Sequence, residues 1–372
     1  NNNYNKILIY SIKKKLLFLI KSFGYSLLSL LYRKITQIAD PNNHESVEII
    51  NTKLENFSYK IFKIKNCRIY TDTINDTAFI IDNKIVDEAS FQLRDTKNSP
   101  ISNNIVFKKG TPRIKKNFDG NVFSLLTGGA GNSSYWHWLF DVLPRIKIFK
   151  NHNDLKEIDF FLLPDLKKKF QNETLDLLKI PRNKRLSSRI YRHLQTTSSI
   201  TVDHPYVFNN DPSKSVINIP NWIITFLRKE FIGKNDKKFP TKFYIDRSDS
   251  TSNHKHLRQI INEDEIKKIL SKKGFSIIRL SDLSFSDQVS LFNNASIIVG
   301  LHGAGLANLT FCNPATLIIE LKSLSAGYMY SNLSKKLKLN YHDISIKPIN
   351  FNNNDQQGSI EVPLKFLEEK IN

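Results

Sequence analysis

The chain has 372 residues, of which 40% are hydrophobic, so it is long enough for two domains of ordinary size and apolar enough to fill their cores. This composition excludes a wholly disordered protein. The formal net charge of +20 suits phosphates, nucleic acid or anionic lipid, although a Lys-, Asn- and Ile-rich background gives the same excess without any function. Cys67 and Cys312 lie far apart without a CxxC spacing, which indicates neither a zinc site nor a disulfide framework and predicts a reducing, cytoplasmic location.

Residues 1–40 form a predicted N-terminal segment that is both apolar and basic. Lysines interrupt its apolar sequence, and the longest uncharged stretch, Ser22 to Tyr32, is too short to span a bilayer. Residues 6–35 therefore predict a basic amphipathic helix in peripheral contact with an anionic membrane. The sequence leaves open a second interpretation, in which this first helix packs on the globular body.

Residues 41–210 are predicted to form an N-terminal α/β domain. Short β-like runs follow a break at Asp40-Pro41-Asn42-Asn43. Between Ile158 and Ile200, strand-like runs alternate with an amphipathic helix, a pattern typical of α/β domains. Loop-like sequence from Asn209 to Pro212 sets the predicted boundary near residue 210.

The stretch TGGAGNSSYWHWLFDVLPRIKIFK, from Thr127 to Lys150, predicts a flexible glycine loop followed by a helix. Either Asn132 or Ser133 is expected to cap this helix, and Pro144 is expected to disturb it. The helix also carries a stripe of large apolar side chains that we expect to face the core, namely Trp136, Phe140 and Leu143.

His137 and Asp141 lie four residues apart and therefore share one face of this helix. A histidine and a carboxylate presented together beside a glycine loop are equipped for proton transfer. A partly buried structural contact is the alternative, and the residues alone leave both interpretations open. The pair has no third ligand at a helical spacing, so we predict no metal site there.

Residues 211–372 alternate regularly between strands and helices. Capping patterns precede two of the helices, with Asn262 and Glu265 in one and Ser284 and Asp287 in the other. The predicted strands are Phe243 to Asp246, Phe275 to Leu280, Ile297 to Val299, Thr316 to Leu321 and Tyr341 to Ile346. A run of βα units folds as a parallel sheet with helices on both faces, so the predicted fold class is α/β.

The most informative stretch is IIVGLHGAGLANLTFCNPATLIIEL, from Ile297 to Leu321. It predicts a strand, a glycine-rich turn, a helical turn through Leu309 and a second strand. Small residues let the backbone approach a ligand closely, and the N–H groups that open a helix favour an anion. A tight βα turn that binds nothing is the alternative interpretation.

Three groups are expected to meet at the carboxyl edge of this sheet, where open α/β sheets bind ligands. Arg247 follows one strand, the turn His302-Gly303-Ala304-Gly305 follows another, and Glu320 lies near the end of a third. Arg247 suits a phosphate, the turn suits a diphosphate, and Glu320 suits ribose hydroxyls. The chain contains neither GxGxxG nor GxxxxGK[ST], and solvated charges at strand ends are the alternative for Arg247 and Glu320.

The stretches YWHWLFDVLPRI, FYIDRS and LSDLSFSDQVSLFNNASIIVGLHGAGLANLTFCNPATLIIEL, in this order and spacing, resemble glycosyltransferase family 61. The resemblance covers roughly Gly128 to Tyr341, and its most specific part is HGAGLAN followed by NPATLIIEL. It implies a GT-B-like architecture of two Rossmann-like domains facing a cleft, with residues 41–210 on the acceptor side and residues 211–372 binding a nucleotide sugar. The first 125 residues depart from the family pattern, so the acceptor stays open.

The resemblance also implies an inverting transfer to a glycan or glycoconjugate acceptor, with no cofactor and no required metal. Residue by residue, it assigns the donor side to Arg247, His302, Gly303, Ala304, Gly305 and Glu320. It assigns His137 and Asp141 to the facing domain, where either residue is a candidate base. The rival interpretation is a non-catalytic, basic protein that binds membrane or nucleic acid, whereas the transferase interpretation expects no nucleic acid.

Overall fold

The computed structural model describes residues 2–32, 34–72, 75–95, 97–127, 134–207, 216–235, 237–248, 258–349 and 358–371. The predicted glycine loop and its capping residues, Gly128 to Ser133, lie outside these ranges. Contacts divide the chain into two compact units. The first comprises Asn1–Asn132, Ile148–Asp165 and Lys184–Asp203, and the second comprises Ser133–Lys147, Leu166–Asn183 and His204–Asn372. Each unit is thus built from three separate segments of the chain, whereas the predicted domains, with boundaries at residues 40 and 210, are each one continuous segment.

The described residues of the first unit form a mixed sheet of twelve strands. The strands are β1 (Gln37–Ala39), β2 (Val47–Leu54), β3 (Phe57–Lys65), β4 (Arg68–Thr71), β5 (Asp76–Ile81), β6 (Lys84–Val86), β7 (Phe91–Arg94), β8 (Lys97–Asn98), β9 (Lys116–Ser124), β10 (Phe160–Leu163), β11 (Arg185–Ser187) and β12 (His193–Val202). The order along the main path is β1-β6-β5-β4-β12-β9-β10-β11. Strands β12, β9, β10 and β11 are parallel, while β12 pairs antiparallel with β3 and β4. Buried side chains such as Phe62, Ile69 and Leu162 fill the core on this sheet.

The helices of the first unit are α1 (Asn2–Leu31) and α2 (Ile105–Lys109), with short 3-10 turns at Pro41–Asn43, Ile101–Asn103 and Leu155–Glu157. No helix within the described ranges combines the length and apolarity needed to cross a membrane. From Ile12 onward, nearly all the described side chains of α1 are exposed. The structure therefore does not support the interpretation in which this helix packs on the globular body.

The second unit contains the remaining helices and strands. Its helices are α3 (Tyr135–His137), a π-helical turn (Trp138–Val142), the start of α4 (Leu143–Lys150), α5 (Lys169–Leu177), α6 (Asn221–Phe231), α7 (Glu263–Lys272), α8 (Phe285–Asn293), α9 (Met329–Lys336) and α10 (Leu364–Ile371). Its strands are β13 (Lys242–Asp246), β14 (Arg258–Ile260), β15 (Ser276–Arg279), β16 (Ile297–Leu301), β17 (Leu317–Ser323), β18 (Asn340–Ile346) and β19 (Gly358–Ile360). Three 3-10 helices complete the described elements, Arg182–Lys184, Leu280–Asp282 and Ala304–Phe311.

The main sheet of the second unit is parallel throughout, in the order β15-β13-β16-β17-β18. Tyr244, Val299 and Ile319 share a buried cluster with residues of α7 and α10. On the opposite side, Phe243 contacts Phe292 of α8 at 5.3 Å between ring centroids. Helices therefore cover both faces, and the predicted α/β class is confirmed for this unit.

Two local predictions in the second unit have different outcomes. The Ser284 hydroxyl accepts from the Asp287 amide at 3.1 Å, so the predicted cap of α8 is confirmed. Asn262 is the N-cap residue of α7, as predicted, but its side chain does not cap the helix, because it bonds both the amide and the carbonyl of Val362, at 2.9 and 2.8 Å. Asn262 thus ties the start of α7 to the segment after β19.

The helix that begins at Tyr135 is disturbed just before Pro144, as expected, but it does not end there. It continues to Lys150 through the π-helical turn at Trp138–Val142. A proline lacks the amide that an α-helix would pair four residues back, and the wider π turn just before it accommodates that loss. The predicted apolar stripe is confirmed, since Trp136, Phe140 and Leu143 are all buried.

Candidate functional site

The glycine turn after β16 holds Arg247 by a direct contact. Arg247 Nη1 donates to the His302 carbonyl at 3.0 Å. A Cβ atom added to Gly303 would lie 2.9 Å from Arg247 Nη1, so glycine is needed for this close approach. Tyr330 donates to the Gly303 carbonyl at 2.6 Å and fixes the turn from α9. Arg247 and the turn, which the sequence predicted to share one sheet edge, are thus in contact.

Glu320 is fully buried behind the turn, and it is absent from the lining of the adjacent pocket. One of its carboxylate oxygens pairs with His302 Nδ1 and the other accepts from the Tyr341 hydroxyl. Burial, followed by the charge of Glu320, raises the pKa of Tyr341. Glu320 therefore does not reach the pocket in this structure, and its predicted contact with ribose stays a prediction. Its carboxylate instead orients His302, whose carbonyl holds Arg247.

A pocket of about 240 Å³ lies at this edge of the sheet. Its lining combines one cation, one carboxylate, small turn residues and two aromatic rings: Arg247, Asp246, Gly303, Gly305, Tyr135 and Phe170. Asp246 also pairs with Lys267 at 3.1 Å. A mostly apolar pocket with a few convergent polar groups is the usual form of a small-molecule site.

Asn308 connects the start of α3 to the pocket. It accepts from the Tyr135 hydroxyl at 2.6 Å, and its amide donates to Gln288 at 3.1 Å and to the Gly305 carbonyl at 3.2 Å. Burial raises the pKa of Tyr135, so the hydroxyl stays a donor. The neighbouring Trp136 ring meets Tyr330 edge-on at 5.5 Å. The helix that carries His137 therefore belongs with the pocket and not, as the resemblance implied, with a separate domain.

Asp141 is the buried centre of a polar group within the second unit. His137 Nδ1 lies 2.7 Å from Asp141 Oδ2, and the Tyr206 hydroxyl donates to Oδ1 at 2.5 Å. His204 Nε2 lies 3.6 Å from Oδ2. His204 Nδ1 accepts the amides of Tyr206 and Val207, at 3.3 and 3.2 Å, so its ring hydrogen sits on the nitrogen that faces Asp141. The sequence had identified His137 and Asp141 but not their partners.

The two members of the pair have different environments. Burial alone would raise the pKa of Asp141, but His137 and His204 hold it well below its ordinary value. Burial alone would lower the pKa of His137, but the carboxylate of Asp141 raises it overall. The side chain of His137 keeps 30% of its surface exposed, whereas Asp141 is enclosed. His137 is therefore the better placed of the two to exchange a proton with a ligand, and Asp141 orients it.

This pair makes stability depend on pH in a defined window. The lowered pKa of Asp141 stabilises the folded state above its ordinary value of 3.8, and that stabilisation is lost as the pH falls through the folded pKa. The raised pKa of His137 stabilises below 6.5, and that stabilisation is lost as the pH rises through the folded value. We expect Asp141→Asn to lower the melting temperature most between these pH values and less at higher pH. Thermal unfolding of both proteins across pH measures this, and a pH-independent difference would contradict the ion pair.

Within the described ranges, no group of three or more His, Cys, Asp or Glu side chains is arranged to hold a metal ion. The sequence reasoning also missed several groups that structure the site, among them His204, Tyr206, Phe170 and Asn308. Each of them reaches the site from a distant part of the chain, and only Asn308 lies within a stretch that the sequence had marked, HGAGLAN.

Comparison with known proteins bears on this arrangement. The model of the family Glycosyltransferase 61 matches residues 135–319, from the first residue of α3 to within β17. Residues 135–319 of the chain thus carry the sequence pattern of glycosyltransferase family 61. The matched region contains His137, Asp141, Arg247 and the glycine turn, so the family's sequence pattern runs through the polar group on Asp141 and through the pocket.

Individual relatives match the chain over short stretches. It is 37% identical over 76 residues to a Beta-1,2-xylosyltransferase of Arabidopsis thaliana, which is 20% of this chain and 14% of that protein. It is 32% identical over 87 residues to an EGF domain-specific O-linked N-acetylglucosamine transferase of Drosophila melanogaster, 23% of this chain and 17% of that protein. A xylan glycosyltransferase of Arabidopsis thaliana is 29% identical over 98 residues, 24% of this chain and 20% of that protein. The chain thus spans at most a fifth of the length of these relatives.

Proposed function

We propose that this protein is an inverting glycosyltransferase that moves a sugar from a nucleotide-sugar donor to a glycan or glycoconjugate acceptor. The observation that carries the proposal is the contact between Arg247 and the glycine turn at the carboxyl edge of the parallel sheet. The match to the family and the names of the relatives support transfer of a hexosyl, pentosyl or N-acetylhexosaminyl group.

The donor diphosphate is proposed to bind at the turn. Arg247 supplies a positive charge, and the amides of Ala304 and Gly305 open the 3-10 helix with their dipoles toward an anion. Both groups stabilise the negative charge that develops on the leaving nucleoside diphosphate. His302 and Glu320 act behind the turn by holding its carbonyl against Arg247.

The proposed base is His137. With Nδ1 donating to Asp141, the neutral ring carries its lone pair on Nε2. That nitrogen takes the proton of the acceptor hydroxyl while the acceptor oxygen attacks the anomeric carbon and the bond to the diphosphate breaks. Attack from the face opposite the leaving group inverts the configuration. The imidazolium that forms is stabilised by the buried carboxylate of Asp141.

The GT-B arrangement and the assignment of the first unit to the acceptor are further proposals that rest on the family resemblance. The parallel sheet of the second unit supports a Rossmann-like donor half. We also propose a cytoplasmic protein with peripheral membrane contact through residues 6–35. Cys67 and Cys312 are buried free thiols, as a reducing compartment would keep them.

The decisive test is donor binding. We expect Arg247→Ala to weaken the binding of the preferred nucleoside diphosphate by about 1.5–3 kcal/mol, the range for a hydrogen bond to a charged group. The donor is first identified by thermal shift and hydrolysis against UDP-, GDP- and CMP-sugars, and affinity is then measured by calorimetry. Arg279→Ala is the matched control, because Arg279 is exposed and paired with Asp282 in the same unit. Equal affinity in a folded Arg247→Ala protein would remove this residue from the site.

A further inference from the structure

Helix α1 carries large apolar side chains that the described part of the first unit leaves exposed. Its apolar positions Ile12, Leu16, Leu19, Phe23, Leu27 and Leu30 recur at helical spacing, and all are exposed. Phe23 and Leu30 keep 74% and 79% of their surface exposed. The helix contains five lysines and neither Asp nor Glu. A contiguous apolar face of this size, bordered by one sign of charge, marks an interaction surface.

The end of α1 is fixed to the twelve-stranded sheet at the edge formed by the starts of the central strands β9 and β12. The Tyr32 ring meets buried His193 edge-on at 4.8 Å, and the Tyr32 hydroxyl accepts the Lys115 amide at 3.1 Å. Ile35 is buried just beyond. Helix α1 therefore leaves the first unit from a defined place, at the point where β9 and β12 begin.

Two loops at that same edge repeat the composition of α1. Strands β9 and β12 are parallel, with Lys116 beside Leu194, so the loops that precede them lie together. His193 Nδ1 also donates to the Arg113 carbonyl at 2.8 Å. The first loop presents Ile114, 71% exposed between Arg113 and Lys115, and the second presents Ile190, 74% exposed. Arg192 adds a further cation in the second loop, while Arg189 is paired with Asp165.

We infer that α1 and the exposed parts of these two loops, residues 12–31, 113–115 and 189–192, form one surface that docks on an anionic lipid bilayer. We call it the α1 edge. It extends the membrane contact proposed for residues 6–35 to the sheet itself, and it does not depend on the transfer reaction. The two exposed isoleucines and the apolar face of α1 enter the headgroup region, while the flanking lysines and arginines pair with lipid phosphates and carboxylates.

A bilayer fits these observations better than a folded partner or nucleic acid. The apolar groups stand on three separate segments at one edge, with cations between them, and neither loop contains an acidic residue. Nucleic acid would use the cations but gains little from exposed isoleucine and leucine side chains. Lysines interrupt the apolar sequence of α1, and a helix of this composition lies in the plane of the interface.

The test is co-sedimentation of the full chain with vesicles of phosphatidylcholine and phosphatidylserine, compared with pure phosphatidylcholine. We expect binding only to the anionic vesicles and a loss of binding as salt is raised. Phe23→Glu and the double variant Ile114→Glu with Ile190→Glu should each weaken binding about tenfold or more. Replacing Lys13, Lys14 and Lys15 together by Gln should weaken it about fivefold for each lysine.

Matched controls come from the second unit, where Phe366 and Ile261 are also large, apolar and exposed. Phe366→Glu and Ile261→Glu should leave vesicle binding unchanged. Nucleoside diphosphate binding, followed by thermal shift, should survive in every variant and shows that each protein is folded. Loss of that signal in wild type would count against the proposed function and not against the α1 edge.

Four results would overturn the inference. The first is equal binding to neutral and anionic vesicles. The second is full binding by the Ile114 and Ile190 double variant, which would remove the loops from the surface. The third is an oligomer that forms without lipid and dissociates in Phe23→Glu, because a second copy would then cover α1. The fourth is displacement of the protein from the vesicles by a DNA duplex, together with unchanged binding by the glutamate variants. The partner would then be nucleic acid and not a bilayer.

Discussion

Replacement of His137 by alanine is expected to lower kcat by about 10²- to 10⁴-fold, with little change in the Kd for the nucleoside diphosphate. A general base acts on the transition state, so its loss falls on turnover and not on donor binding. The geometry favours His137 over Asp141 as this base, because Asp141 is enclosed and already holds His137 and Tyr206. Turnover and calorimetry on the same preparations separate the two effects.

The pH profile gives the same hypothesis a second readout. The raised pKa of His137 places the acidic limb of kcat above the ordinary value of 6.5, since the ring must be neutral to accept a proton. Asp141→Asn removes the charge that raises this pKa, so the limb should move to lower pH. His152→Ala is a suitable control, because His152 is exposed in the first unit. Near-normal turnover in His137→Ala would place the base elsewhere, and the first unit would be the next place to look.

Replacement of Glu320 by alanine is expected to lower the free energy of unfolding by about 2–5 kcal/mol, since each donor that loses its partner costs about 1–3 kcal/mol. The change leaves His302 and the Tyr341 hydroxyl without their buried acceptor. Urea unfolding at fixed pH measures the loss. Glu369→Ala on exposed α10 surface should change stability by less than about 0.5 kcal/mol.

A second substitution separates two possible roles of Glu320, orientation of His302 and direct contact with ribose. If it orients His302, Glu320→Gln should keep much of the stability while weakening nucleoside diphosphate binding through Arg247, since the His302 carbonyl positions that side chain. If Glu320 touched ribose directly, Glu320→Ala would weaken nucleoside diphosphate binding without lowering the free energy of unfolding. Wild-type unfolding energy in Glu320→Ala would show that the buried network contributes nothing, and our account of the turn would be wrong.

The second unit was predictable because its signals are local. The strands of its main sheet, four to seven residues long, alternate with helices, and the parallel register follows from βα units without knowledge of distant contacts. The meeting of Arg247 with the glycine turn followed from the rule that such strands carry ligands at their carboxyl ends. The glycine at position 303 also indicated that another group approaches the backbone closely. The expected group was a ligand, and in the structure it is Arg247.

The rest depended on pairings between residues distant in sequence. The β-like runs before residue 86 gave no information on their partners, and β12 pairs with β3, β4 and β9 across more than 70 residues. Tyr206 and His204 reach Asp141 from more than 60 residues away, with no local pattern to mark them. The burial of Glu320 was equally hidden, because a carboxylate at a strand end has the same sequence signal whether it faces solvent or the core.

The interleaved composition of the two units constrains how the chain acquires its structure during synthesis. The first unit needs β12, which ends at Val202, before its sheet is complete. The second unit uses Tyr135 and Phe170, which leave the ribosome long before β16 and its turn exist. Until then their aromatic rings have no permanent cover, and contacts of such long sequence separation form slowly. The pocket is therefore completed only when the turn after β16 has been synthesised, more than 160 residues after Tyr135.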